Sequence, residues 1–138
     1  MSSSNEKTQD QEQLKLLSIF HYVVGVLAAL FSCFFIIHLV IGIIAIVSPQ
    51  SMAGAHSEPP PAFFGWLFAA IGGGMLLMGW TFAVCLIVAG RFLSQRKKHL
   101  FCLVMAGVSC LFVPLGTALG VFSIIVLTRP SVKELFTS

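Results

Sequence analysis

What constrains this chain most is where its charges are missing. Between Lys15 and Arg91 the only Asp, Glu, Lys or Arg is Glu58, and between Lys98 and Arg129 there is none. Three apolar runs result, Leu16 to Val47, Ala62 to Gly90 and Leu100 to Thr128, of 32, 29 and 29 residues. A membrane-spanning helix needs about 20 apolar residues to cross about 30 Å of hydrocarbon. As helices these runs are about 44–48 Å long, so each holds one crossing, with the surplus taken up by tilt or protruding ends. Only 9% of the 138 residues are charged and 57% are apolar. An ordinary water-facing globule, about one-quarter charged, is thereby excluded. Disorder is excluded too, since it needs low hydrophobicity.

The expected fold is an all-α membrane protein with three long transmembrane helices at about 16–47, 62–90 and 100–128. A polar cytoplasmic tail over 1–13 precedes a single transmembrane domain over 14–138. Ser48-Pro49 ends the first helix, because proline lacks an amide hydrogen and disfavours α geometry before it. The 48–61 loop carries Gly54 and Pro59-Pro60-Pro61, and Pro61 suits the first turn of the next helix. Arg129-Pro130 ends the third run, and Ser131-x-x-Glu134 has the spacing of a capping box for one last interfacial turn. Pro114 removes the amide donor to the carbonyl of Cys110, so the third helix is expected to kink there, eased by Thr117 bonding back to Val113.

Lysine and arginine in short loops set orientation. The 91–98 stretch holds Arg91, Arg96, Lys97 and Lys98, whereas the 48–61 loop holds none. That turn and the N-terminus are therefore expected in the cytoplasm. Three spans then leave Arg129 and Lys133 outside, against the rule. A re-entrant third segment, folding back near Pro114-Leu115-Gly116, would bring them inside, but its arms of about 13 residues are too short to cross. Length is weighed over two misplaced charges, so one kinked span is expected and the re-entrant pair is the alternative. Ala53-Gly54-Ala55 resembles a signal-peptidase site, yet the run before it is far longer than a signal peptide's apolar region.

No Asp or Glu lies in any run, which removes carboxylate pairs for acid–base or metal chemistry. No phosphate-cradling glycine loop, zinc spacing or nucleophile elbow is present. The chain is not expected to be an enzyme, and no catalytic residue, metal ligand or cofactor is assigned. His21 and His38 lie in the first run, about 25 Å apart along a helix and about 100° around it, so one chain cannot bring both to one haem iron. Haem would need His38 paired with its copy, or His21 with His99. More simply, His21 anchors at the interface and His38 bonds within the bundle. Cys102 and Cys110 are too far apart on one helix for a disulfide.

Small residues recur on each run: Gly25, Ala29 and Cys33; Gly65, Ala69 and Gly73; Gly116 and Gly120. Spacings of four let helix backbones approach closely in lipid. Pro114 is the candidate hinge, and at Gly72-Gly73-Gly74 either a neighbour packs tightly or the helix hinges. Trp80 is expected to find an acceptor for its indole hydrogen, and Phe63, Phe64 and Trp66 to form an aromatic belt. Arg91, Arg96, Lys97 and Lys98 are candidate contacts for anionic lipid; a turn this short offers no surface for nucleic acid.

Two blocks carry a resemblance. His21-Tyr22-Val23-Val24-Gly25 with His38-Leu39-Val40-Ile41-Gly42 opens the chain, and Pro114 to Phe122 runs on to Arg129-Pro130-Ser131-Val132-Lys133. Together they resemble a set of small, uncharacterised bacterial inner-membrane proteins of about this size. The resemblance implies a bacterial plasma-membrane location and no catalytic residue. From the residues themselves the expected function is assembly: an accessory, scaffold or lipid-organising subunit that forms a homo-oligomer or joins a membrane-protein partner. The alternatives are a homo-oligomeric channel or permease for a small neutral solute, and a haem- or quinone-binding subunit working through His38.

Overall fold

A computed structural model describes residues 2–55, 57–111 and 114–137. Regular structure among them is entirely helical. Helices α1 (Ser2–Cys33) and α2 (Phe35–Val47) follow one another through a single tightened turn. There the amide of Phe34 reaches Phe31 O at 3.1 Å and that of Ile37 reaches Phe34 O at 3.2 Å, bonds of the 3-10 kind that narrow a helix without ending it. The polar tail is helical from Ser2, and Thr8 Oγ1 donates back along it to Ser4 O at 2.9 Å. A 3-10 turn (Pro49–Met52) leads into the loop. Helix α3 (Ala62–Gln95) starts just past Pro61, whose carbonyl accepts the Phe64 amide at 2.9 Å. Helices α4 (His99–Ser109), α5 (Leu115–Leu127) and α6 (Pro130–Thr137) complete the order. Ser2–Val47 and Ala62–Gln95 are long and apolar enough to cross a membrane, and α5 with α6 qualifies only as a pair bent by 78°.

The third apolar run is not the single kinked helix expected of it. His99 opens α4 and Leu127 closes α5, yet His99 Nε2 lies 2.6 Å from Leu127 O. Along one helix those residues would be about 42 Å apart. The two helices instead fold back on each other, with Gly120 of α5 pressed against the Ala106 carbonyl and Cys110 of α4. Apolar length does not tell one long helix from two short ones: α4 closes its own backbone bonds over about 16 Å and α5 over about 20 Å. Chemistry at the tip completes the hairpin. Pro114 deprives the Cys110 carbonyl of its amide donor, and Thr117 Oγ1 donates to that same oxygen at 2.7 Å. Val113, the acceptor expected for Thr117, lies outside the described residues.

The chain divides into two compact units. One comprises Met1–Val26 with Ala83–Ser138, the other Leu27–Phe82. In the first, Leu14 and Leu17 of α1, Leu93 of α3, Cys102 of α4, Val126 and Leu127 of α5 and Val132 of α6 form one buried cluster. Cys102 also lies 3.8 Å from the Ala89 carbonyl, which ties α4 to α3. In the second unit the buried positions are mostly small, among them Ser32, Gly42, Ala45, Gly65 and Gly72. Most of its large apolar side chains face outward, with Phe31 71%, Phe63 70%, Trp66 66% and Leu77 72% exposed, while Phe82 is buried at 8%.

Candidate functional site

Glycines set how closely the helices meet. In the second unit a Cβ on Gly72 would lie 2.6 Å from Leu39 N, one on Gly79 2.6 Å from Ser32 Oγ, and one on Gly65 3.1 Å from Ile46 N. Gly42 is likewise closed off by the backbone of Ala69. Ser32, Leu39 and Ile46 climb by sevens as Gly79, Gly72 and Gly65 descend by sevens, so α3 runs antiparallel to its neighbour in constant register. A repeat of seven keeps one seam facing its partner, whereas strict steps of four drift off it. Of the residues expected from four-residue ladders, Gly65 and Ala69 lie in this seam. Gly73 only grazes it, with Leu39 Cδ1 3.6 Å from its added Cβ, and Ala29 is half-buried. Gly42 and Gly79 lie outside the four-residue ladders, and the spacing of seven from Gly65 through Gly72 is the signal for Gly79; of the two alternatives at Gly72, tight packing of a neighbour is the one found. Gly72 is clamped, which leaves no hinge there.

In the first unit Gly25 lies against Ala83 O and Leu86 Cβ, and Gly90 against Ser18 O and His21 Cβ. Ser18 Oγ donates to Gly90 O at 2.6 Å, a short bond between α1 and α3. Gly116 and Gly120 are buried inside the α4–α5 hairpin, as is Ser109, which donates to Met105 O at 2.7 Å. These glycines are used within the chain.

His21 is fully buried, its Nδ1 2.9 Å from Leu17 O and its Nε2 without a hydrogen-bond partner among the described residues. His99 is engaged with Leu127. His38 stacks on Phe68 with centroids 6.0 Å apart, and Phe34 and Phe35 flank it at 5.6 and 5.7 Å. Its Nδ1 is buried and has no hydrogen-bond partner among the described residues. His56 lies outside them. No group of three or more metal-ligating side chains occurs among the described residues. Trp80, expected to find an acceptor, is 54% exposed and its indole faces outward.

All eight Lys and Arg residues fall in the first unit. Arg129 Nη1 lies 3.9 Å from Asp10 Oδ1 and donates to Gln13 Oε1 at 3.2 Å, so the end of α5 meets the start of α1. The turn between α3 and α4 holds Arg96 at φ 54° and Lys98 at φ 51°, both in the left-handed region that non-glycine residues rarely adopt. Lys98 Nζ sits 5.3 Å above the Phe92 ring. Arg91 is exposed on α3. No family model, curated protein or solved structure matches the chain.

Proposed function

We propose that the chain is a membrane-embedded helical subunit of the bacterial plasma membrane that works by assembly, as an accessory, scaffold or lipid-organising component. In this reading the two long helices cross the bilayer and the α4–α5 hairpin is re-entrant, entering to part of the depth from the side that holds the N-terminus. The hairpin supports that orientation directly. It returns Arg129 toward the 91–98 turn and the N-terminal helix, which in this reading leaves all Lys and Arg on one face of the membrane, in keeping with the positive-inside rule. The cytoplasm is that face, and the 48–61 loop lies outside. Labelling of Thr137→Cys and Ser4→Cys from the same side, with Ser51→Cys reached from the other, is the expected outcome. Thr137→Cys reached with Ser51→Cys would overturn it.

The observation that carries assembly is the second unit's economy. Its interior is largely backbone against backbone, and most of its bulky side chains, Phe82 apart, are exposed or only half-buried. The glycines that close the chain on itself are occupied, but a Cβ at Gly74 meets nothing within 4 Å. Small residues left open on a membrane helix are where another helix can approach. In mild detergent the particle is expected to exceed one 14.9 kDa chain, and Gly74→Leu to reduce it to the single chain without loss of helicity. A wild-type monomer retires this reading.

The unpartnered Nδ1 of His38 supports a second reading, in which that ring serves a haem or quinone between protomers. A Soret band that disappears in His38→Phe would favour it over simple assembly.

A further inference from the structure

A cavity of about 690 Å³ lies between the α3–α4 turn and α6. Arg96, Lys97 and Lys98 line it from the turn, and Leu135 and Phe136 from α6. Ser94 and Gln95 complete its wall, and no acidic side chain borders it among the described residues. The charges are uncompensated, because the one ion pair among the described residues joins Arg129 to Asp10. Three cations facing one hollow repel each other, and two of them sit on left-handed backbone that glycine would adopt with less strain. Strain of this kind persists where the surrounding fold fixes it, and ligand clamps are one such place.

We propose that this cavity binds a phosphate group, with Arg96 and Lys97 as its principal cationic contacts and Leu135 and Phe136 covering the apolar part of the same ligand. Arg supplies a planar fork that takes two phosphate oxygens, and Lys a mobile point charge beside it. Lys98 contributes less, since its ammonium lies over Phe92. Arg91, one of the four cations of the basic stretch, does not line the cavity, so the site is narrower than that stretch. The apolar wall favours an anionic lipid headgroup over a free phosphate ester; that choice rests on the membrane placement proposed above, and the phosphate chemistry does not.

The test uses full-length protein in uncharged detergent, with phosphatidylglycerol, phosphatidylcholine and inorganic phosphate as probes and bound lipid read by native mass spectrometry. Phosphatidylglycerol is expected to be retained over phosphatidylcholine. Each of Arg96→Gln and Lys97→Gln is expected to weaken retention about five-fold, while Arg91→Gln leaves it unchanged. Lys97→Gln alone, at an exposed position, serves if the Arg96 variant does not fold. Displacement of the lipid by inorganic phosphate supports the site and assigns it to a soluble phosphate ester. Equal losses from Arg91→Gln and Lys97→Gln would overturn the proposal, as would equal retention of the two lipids; a monomeric particle would bear on assembly alone.

Discussion

The two units of this small chain are held by different physics. Leu27–Phe82 has no Lys or Arg, and its helices close on each other through glycine, alanine and serine. Met1–Val26 with Ala83–Ser138 holds every basic residue, and leucine, valine and methionine fill it. Hydrogen bonds from Ser18, His99 and Thr117 tie its helices to backbone carbonyls. The first arrangement rests mainly on close approach; the second adds side-chain volume and more directed bonds to close approaches of its own at Gly90 and Gly120. Where a sequence lacks bulky residues on a helix face, the backbone itself becomes the packing surface, and an added methyl is costly there.

The sharpest way to break the comparison is to crowd the glycine seam. Gly72→Leu is expected to cost about 3 kcal/mol or more, since the new side chain meets the Leu39 and His38 backbone and no rotamer relieves it. Gly73→Leu, one position round the helix, should stay within about 1 kcal/mol. Equal losses in detergent unfolding titrations would mean that the seam is misassigned.

In the other unit a smaller effect is expected at the hairpin tip. Thr117→Val strips the donor from the Cys110 carbonyl and should destabilise by about 1–2 kcal/mol, with Thr117→Ser restoring most of it. Faster amide exchange confined to α4 and α5 would accompany the loss. A Val variant as stable as the parent would show that the carbonyl is satisfied by another route.

Smaller effects sharpen the contrast. Ser18→Ala removes a 2.6 Å bond and is expected to cost about 1 kcal/mol, whereas Ser32→Ala removes a 3.2 Å bond to Leu76 O and should cost about half of that. The smallest expected change is at Arg129. Its side chain is 48% exposed, so pairing with Asp10 is worth about 0–1 kcal/mol and weakens with added salt. A double-mutant cycle with Asp10→Asn reads the coupling directly; coupling above that range would mark the contact as a principal tie between α1 and α5.

Much of this architecture is legible in the order of residues. Gaps between charges mark the long helices, Ser48-Pro49 and Arg129-Pro130 mark two of their ends, and the basic 91–98 stretch marks a turn. The hairpin is not legible from apolar length, because α4 and α5 together have the length of one crossing. What distinguishes them is the contact between His99 and Leu127, which no local pattern encodes. Arg129 and Lys133, misplaced by a single span, were the one hint, and a length argument outweighed it. At the seam, Gly65 and Ala69 fit both a four-residue and a seven-residue ladder, so only Gly72 and Gly79 separate the two. The basic cavity was half-visible: its cations are consecutive, but Leu135 and Phe136 come from a helix nearly forty residues later.

The back-folded pair has a consequence for biogenesis. Thr117 must reach Cys110, and Cys102 must settle beside Ala89, before these short segments have a stable place in hydrocarbon. Because α3 precedes them in synthesis, the wall they lean on is already made when they emerge. On the re-entrant placement proposed above, insertion is a two-step event, with the long helices threaded first and the final stretch docking sideways onto them. A translation pause placed after Ser109 should leave a partly inserted species open to added protease, while the same pause after Arg129 should not.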